Sequence, residues 1–237
     1  MSLEATRAAL AADGLDLAAP LCAVDHDACV PDEWRAPPGC RSVLVVGNAG
    51  AALWRRFSAA RPRGRDPLDR FVRTILQRHA PGAFATYRER REGRPLPLIA
   101  LAERAGLGRP GRIGLLLHPI YGPWISLRAV VYSNQSVESS EIPDFDPCNG
   151  CPAPCVTACR GQAIASQATT RESFDGGNCF RTKLLDGGCR IACDARTACV
   201  IGREHAFPPD AVAHHSRLHW TPGLVLLAAR TLARRQS

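Results

Sequence analysis

Between residues 148 and 199 the chain carries eight of its eleven cysteines. Four come close together as Cys148, Cys151, Cys155 and Cys159, and Cys179, Cys189, Cys193 and Cys199 follow. Eight thiolates are what two [4Fe–4S] clusters take, at four each. The surroundings suit that chemistry. Gly150, Gly161, Gly176, Gly177, Gly187 and Gly188 let the backbone bend round a bulky anion and turn N–H groups toward its sulfurs. Pro147, Pro152 and Pro154 stiffen the first loop.

In two-cluster ferredoxins a C-x2-C-x2-C-x3-C run gives three ligands to one cluster and its last to the other. Here the second and third ligands stand one residue further apart. By the same crossing, Cys148, Cys151, Cys155 and the remote Cys199 hold one cluster, and Cys159, Cys179, Cys189 and Cys193 hold the second. Arg160 stands where a ferredoxin usually has proline. Three other readings compete: a disulfide framework, zinc sites, and one cluster with spare cysteines. The first suits a small secreted domain, but the chain starts without a signal peptide and is rich in apolar residues. Zinc prefers paired clips around a single ion, and four ligands at this spacing crowd one another.

At 237 residues, 46% apolar and 22% charged, the chain has material for one large domain or two small ones and no long disordered arm. No apolar run reaches the ~18 residues of a membrane span. With cluster thiolates needing a reducing compartment, the expected location is the cytoplasm. The net charge of +8 comes almost wholly from arginine, Lys183 being the only lysine. The arginines are scattered apart from Arg61–Arg65 and Arg88–Arg91, without interleaved aromatics. Charge of that kind reports non-specific attraction, which argues against tRNA as a partner.

Upstream of the cysteines, residues 3–13 read as an amphipathic helix, and Arg41–Asn48 as a buried strand leading through Gly47-Asn-Ala-Gly50 into a helix over 51–60. Cys22, Cys29 and Cys40 match no ligand pattern and read as buried or free thiols. Residues 66–79 form a helix with Asp66 as N-cap, Pro67 in its first position and an apolar stripe from Leu68, Phe71, Val72, Ile75 and Leu76. His79 at its end complements the helix dipole. The segment 85–95 reads as a polar connection, and helical spacing resumes over 96–105 before the breaker-rich turn Gly106–Gly111. Two strands, 112–118 and 124–132, are expected to pair around an aromatic turn, with a polar linker over 133–147. A short helix is expected within 205–220, with surface histidines at 214, 215 and 219, and a Leu/Ala helix over 221–237.

The run from Leu101 to Val131, with His118-Pro-Ile-Tyr-Gly-Pro-Trp124 at its centre, resembles a segment of the cobalamin-dependent iron–sulfur reductases. Those are the epoxyqueuosine reductases and, more distantly, the respiratory reductive dehalogenases. The His-Pro-x-Tyr-Gly-x-Trp pattern is also similar to the CblC-type cobalamin-trafficking chaperones, which remove the upper ligand of cobalamin and lack clusters. The likeness covers roughly residues 40–215. It implies an α+β fold: a nitroreductase-like corrinoid-binding domain over 1–145, a ferredoxin-like module with two [4Fe–4S] clusters over 146–207, and a helical tail over 208–237. It implies cobalamin as second cofactor, with a flavin as the alternative occupant. Gly106, Gly108, His118, Tyr121, Gly122 and Trp124 are the implied cofactor contacts. The expected function is electron transfer from the clusters to the corrinoid, to reduce or dealkylate it or to reduce a small substrate at cobalt. Its electrons would come from a ferredoxin, a flavodoxin or the reductase of either. A ferredoxin-type carrier without corrinoid is the alternative, as is tRNA modification. Against the latter, the Asp-Ser-Ala-Pro stretch with the epoxyqueuosine reductases' proton donor is replaced by Glu92–Ala100, Glu92 falling at the donor's place by counting.

Overall fold

The computed structural model describes residues 2–165 and 174–216. The chain divides into two compact units, Met1–Arg109 with Leu116–Asp146, and Pro110–Leu115 with Pro147–Ser237.

The first unit is a four-stranded antiparallel sheet buried on both faces. Helix α1 (Leu3–Ala12) starts at Ser2, whose hydroxyl accepts the Ala5 N–H at 3.1 Å. Strand β1 (Leu17–Cys22) and helix α2 (Ala23–Cys29) follow; sequence periodicity gave neither, since Pro20 and the cysteines interrupt the pattern. Strand β2 (Ser42–Ala49) is buried along its whole length and leads into helix α3 (Ala52–Ala60). Helix α4 (Pro67–His79) buries Leu68, Val72, Ile75 and Leu76 and only partly Phe71. Asp66 occupies the N-cap position of α4 without capping it. Its φ of 48° turns the carboxylate away, and it pairs instead with Arg88 at 2.7 Å.

The segment expected to be a polar connection holds structure of its own. Strand β3 (Phe84–Thr86) joins the sheet, and a small hairpin follows from β4 (Arg90–Arg91) and β5 (Arg94–Pro95), with Glu92 exposed at its turn. Helix α5 (Leu98–Arg104) comes next, then the short strands β6 (Arg109–Pro110) and β7 (Leu116–Leu117), and the long strand β8 (Ile125–Ser133). The sheet order is β1-β2-β8-β3. The expected pairing of 112–118 with 124–132 does not form. Turns at Gly111 and Gly114 break the first segment, and β8 finds its partners far away in sequence, in β2 and β3.

In β2 alternate residues serve opposite faces. Val43 and Val45 face a core with Trp34, Leu101 and Val130, while Leu44 and Val46 face α1, α3 and α4. The β2–β8 register slips between Val46 and Gly47: Val46 lies opposite Ala129 and Gly47 opposite Leu127, leaving Arg128 as the extra residue of a bulge. Glycine is required at 47, where a Cβ would stand 2.6 Å from the Ser126 carbonyl oxygen. The 133–147 segment is no loose tether. Gln135 accepts the Leu3 N–H at 2.8 Å, and Ser139 accepts the Cys22 N–H at 3.0 Å and donates to Asp25.

The second unit is built of short helices: α6 (Pro154–Ala158), α7 (Gly176–Leu185), α8 (Gly187–Ile191), α9 (Asp194–Thr197) and α10 (Pro209–Ser216). Asp175 caps α7 through the Asn178 N–H at 2.9 Å, and Asp186 caps α8 through the Gly188 N–H at 2.7 Å. His214 and His215 lie half-buried on α10, His215 against Phe207; His219 and the expected helix over 221–237 lie outside the described residues. No described helix is long and apolar enough to cross a membrane.

Candidate functional site

All eleven cysteines are free thiols. The structure gathers the eight of the second unit into two sets. Cys159, Cys179, Cys189 and Cys193 line one cavity, floored by Gly161 and walled by Thr182, Lys183 and Ala195. Its volume is about 30 Å³ with the thiols as they stand. Cys148, Cys151, Cys155 and Cys199 form the other set. Burial pushes the Cys155 thiol up, Arg112 opposes it, and the sulfurs of Cys148, Cys199 and Cys151 add to the rise. Burial also raises Cys199, with Cys151 and Cys148 contributing. In the first set described, burial raises Cys179 and Cys189, and both feel Cys193. Among the described residues no group of three or more His, Cys, Asp or Glu is placed to hold a single metal ion.

Backbone N–H groups point at several sulfurs. Arg112 donates to Cys148 Sγ at 3.4 Å, Ala153 to Cys151 Sγ at 3.5 Å, and Ala163 to Cys159 Sγ at 3.4 Å. Ala153 and Gly150 adopt positive φ to bring the chain round the first loop. Such donors stabilise negative sulfur, which a bare protonated thiol does not require.

Three arginines around these sets were not evident from spacing. Arg112, at the tip 110–115, is buried and also donates through Nη2 to the Cys148 carbonyl at 3.1 Å. Arg160 joins Asp194 at 2.6 Å and Asp186 at 3.5 Å, linking the starts of α8 and α9 across the cysteine cavity. That explains the departure from proline: the side chain ties two loops. Arg196 lies over the Phe207 ring at 4.8 Å, and burial pushes its guanidinium down to about 10.

The implied cofactor contacts all lie in the first unit. His118 and Gly122 exchange backbone hydrogen bonds at 3.0 and 2.8 Å, closing a tight loop. His118 Nδ1 accepts the N–H groups of Ile120 at 3.0 Å and Tyr121 at 3.2 Å, which assigns the ring proton to Nε2. The Tyr121 and His118 rings lie 4.8 Å apart. Trp124 is only 2% exposed and belongs to the core of the unit. Gly106 and Gly108 do permit a close approach, but of the chain itself. A Cβ on Gly106 would stand 2.3 Å from the Glu141 carbonyl oxygen, and one on Gly108 would stand 2.2 Å from that of Leu117. Cys22, Cys29 and Cys40 belong to the first unit and are half-buried; Cys22 Sγ donates to Asp25 at 3.3 Å and Cys40 Sγ to the Ser42 carbonyl at 3.1 Å.

No family model and no curated protein matches the sequence. Solved structures do match. An epoxyqueuosine reductase from Streptococcus thermophilus aligns with a TM-score of 0.52 at 16% identity, over 90% of this chain and 70% of that one. A catabolic reductive dehalogenase solved with 3-bromo-4-hydroxybenzoic acid gives 0.59 at 16%, over 98% of this chain and 36% of that one. The B12-trafficking protein CblC of C. elegans gives 0.57 at 12%, over 91% of both chains. The chain shares its fold with all three kinds of protein that its sequence resembles. At these identities the likeness is one of fold.

Proposed function

We propose that this chain is an iron–sulfur oxidoreductase that passes electrons from two [4Fe–4S] clusters to a corrinoid held by the first unit. The observation that carries the reading is the sorting of eight thiols into two sets of four, with N–H donors at three of the sulfurs. Four thiolates per cluster is the ligation such clusters use. In this assignment Cys148, Cys151, Cys155 and Cys199 hold one cluster and Cys159, Cys179, Cys189 and Cys193 the other. Seating a cubane in a cavity of about 30 Å³ takes rotation of the thiol side chains. Clusters supply one-electron reduction at potentials that burial and charge adjust; around them, Arg112 and Arg160 fix the loops that present the thiols.

The shared fold supports a corrinoid as acceptor, and the loop His118–Trp124 offers the means to hold it. His118 Nε2–H is a donor suited to an amide side chain of the corrin, and Tyr121, half-buried with its ring 4.8 Å from that of His118, lies beside it. Trp124 is buried at the end of that loop, and Gly108 lets the chain pack closely against its start at Leu117 and His118. A reducing cytoplasm, with a ferredoxin or flavodoxin as donor, fits eleven free thiols. One observation favours a second reading, an electron carrier without corrinoid: with Trp124 buried and both glycines filled by the chain, few side chains remain to grip a macrocycle.

Anaerobic reconstitution with iron and sulfide, followed by titration with cob(II)alamin under EPR, tests both. About eight irons per chain with a perturbed cobalt signal is the expected result. Eight irons with an unchanged cobalt signal leaves the carrier, or a flavin protein if the purified chain is yellow. Zinc in place of iron sinks the cluster assignment.

A further inference from the structure

Away from the loop at 118–124, the first unit contains a cavity of about 260 Å³ between the 61–66 segment, α4, the end of β3 and the bulge of β8. Arg128 is one of the residues that line it. The bulge has taken this residue out of the β2–β8 ladder, and its side chain is 5% exposed. Its Nε donates to Asn48 Oδ1 at 3.0 Å, whereas Nη2 is buried and has no hydrogen-bond partner. A buried guanidinium without a carboxylate on it is costly, because burial removes hydration that nothing replaces. Native structures seldom leave such a donor without a reason.

The rest of the lining does not supply the missing negative charge. Five arginines line the cavity against two aspartates. Both aspartates are already engaged: Asp66 with Arg88 at 2.7 Å, and Asp69 with Arg88 at 3.1 Å and with the Tyr87 hydroxyl, which donates to it at 2.6 Å. Burial pushes Tyr87 up to about 12, so its hydroxyl keeps the proton that makes that bond. Arg70 is held by backbone alone, donating to the Arg63 carbonyl at 3.3 Å. Gly64, at a φ of 102°, leaves room for it, since a Cβ there would meet Arg70 Nη1 at 2.8 Å.

We propose that this cavity binds a small phosphate monoester, its dianion lying between Arg128 and Arg70. Two guanidiniums free of carboxylates offer several N–H donors, which matches a phosphoryl group with three acceptor oxygens better than a carboxylate with two. The volume takes the phosphoryl group and a small organic remainder. This inference stands independently of the clusters and of the corrinoid.

The test is calorimetric titration of the full chain, in phosphate-free buffer, with ribose 5-phosphate, inorganic phosphate, sulfate and a single-stranded RNA oligonucleotide. One saturable site for ribose 5-phosphate is expected, with Kd below about 1 mM and sulfate at least ~10-fold weaker. Arg70→Gln should weaken it ~10-fold, with thermal midpoint and iron content unchanged, and Arg128→Lys should weaken it at least as much. Arg7→Gln on exposed α1 should leave it unchanged. If Arg128→Lys fails to fold, Arg70→Gln decides alone. The proposal falls if ribose 5-phosphate gives no saturable heat, if sulfate binds as well, if neither variant weakens binding, or if only the oligonucleotide binds.

Discussion

Asp13 shows how much a single carboxylate can do in this chain. It sits just past α1 and collects partners from two helices: His79 Nε2 at 2.8 Å, Arg78 at 3.1 Å and Arg56 at 3.9 Å. The His79 hydrogen bond, against the opposing effect of burial and helped by Arg78, holds its carboxyl below the ordinary value. A carboxylate lowered in this way stabilises the fold above its unfolded value of about 3.9, and the contribution disappears as pH falls through the lower folded value. Asp13→Asn should therefore cost about 1 kcal/mol at pH 7 and almost nothing at pH 2, as measured by urea unfolding at both pH values. The sequence placed His79 correctly at a helix end but assigned it to the helix dipole, because nothing local points to a residue 66 positions earlier. The same holds for Arg112, Arg128 and Arg160. Cysteine spacing is a local signal, whereas an arginine's partner is set by tertiary contact that no local pattern carries.

Among the elements, those with strong periodicity were legible and those held by distant pairing were not. Helix α4 and strand β2 lie where the apolar pattern puts them. The hairpin expected over 112–132 failed because glycines at 111 and 114 turn the chain before a strand can form, whereas β8 is stabilised by β2, some eighty residues away. Strand β1, interrupted by Pro20, is an edge strand, a position that tolerates proline but hides the alternation. The bulge at Val46/Gly47 is the element on which the β2–β8 pairing turns. Gly47→Ala would drive a methyl against the Ser126 carbonyl oxygen, which is backbone and cannot rotate away. A loss of about 1–3 kcal/mol is expected in denaturant unfolding; an unchanged midpoint would mean that the bulge relaxes freely.

At the scale of the whole molecule, residues 110–115 return from the sheet-based stretch of the chain to the second unit, which no local pattern in the sequence foretells. Those six residues carry no cysteine, and their place is fixed by Arg112 on Cys148 and by Phe174 against Gly114. If the two sets of thiols hold separate clusters, Cys179→Ser and Cys199→Ser should each reduce reconstituted iron from about eight toward about four per chain. Loss of all iron from either change would point to a single shared centre. The assigned sets are also interlaced along the chain, since Cys159 joins a set completed by Cys193, inside the interval that Cys155 and Cys199 enclose. During synthesis, then, the set that begins first is finished last. A ribosome that has delivered Cys193 but not Cys199 has supplied every sulfur of one set and three of four of the other, so if each set holds a cluster, one ligand set is complete while the other still lacks a thiol.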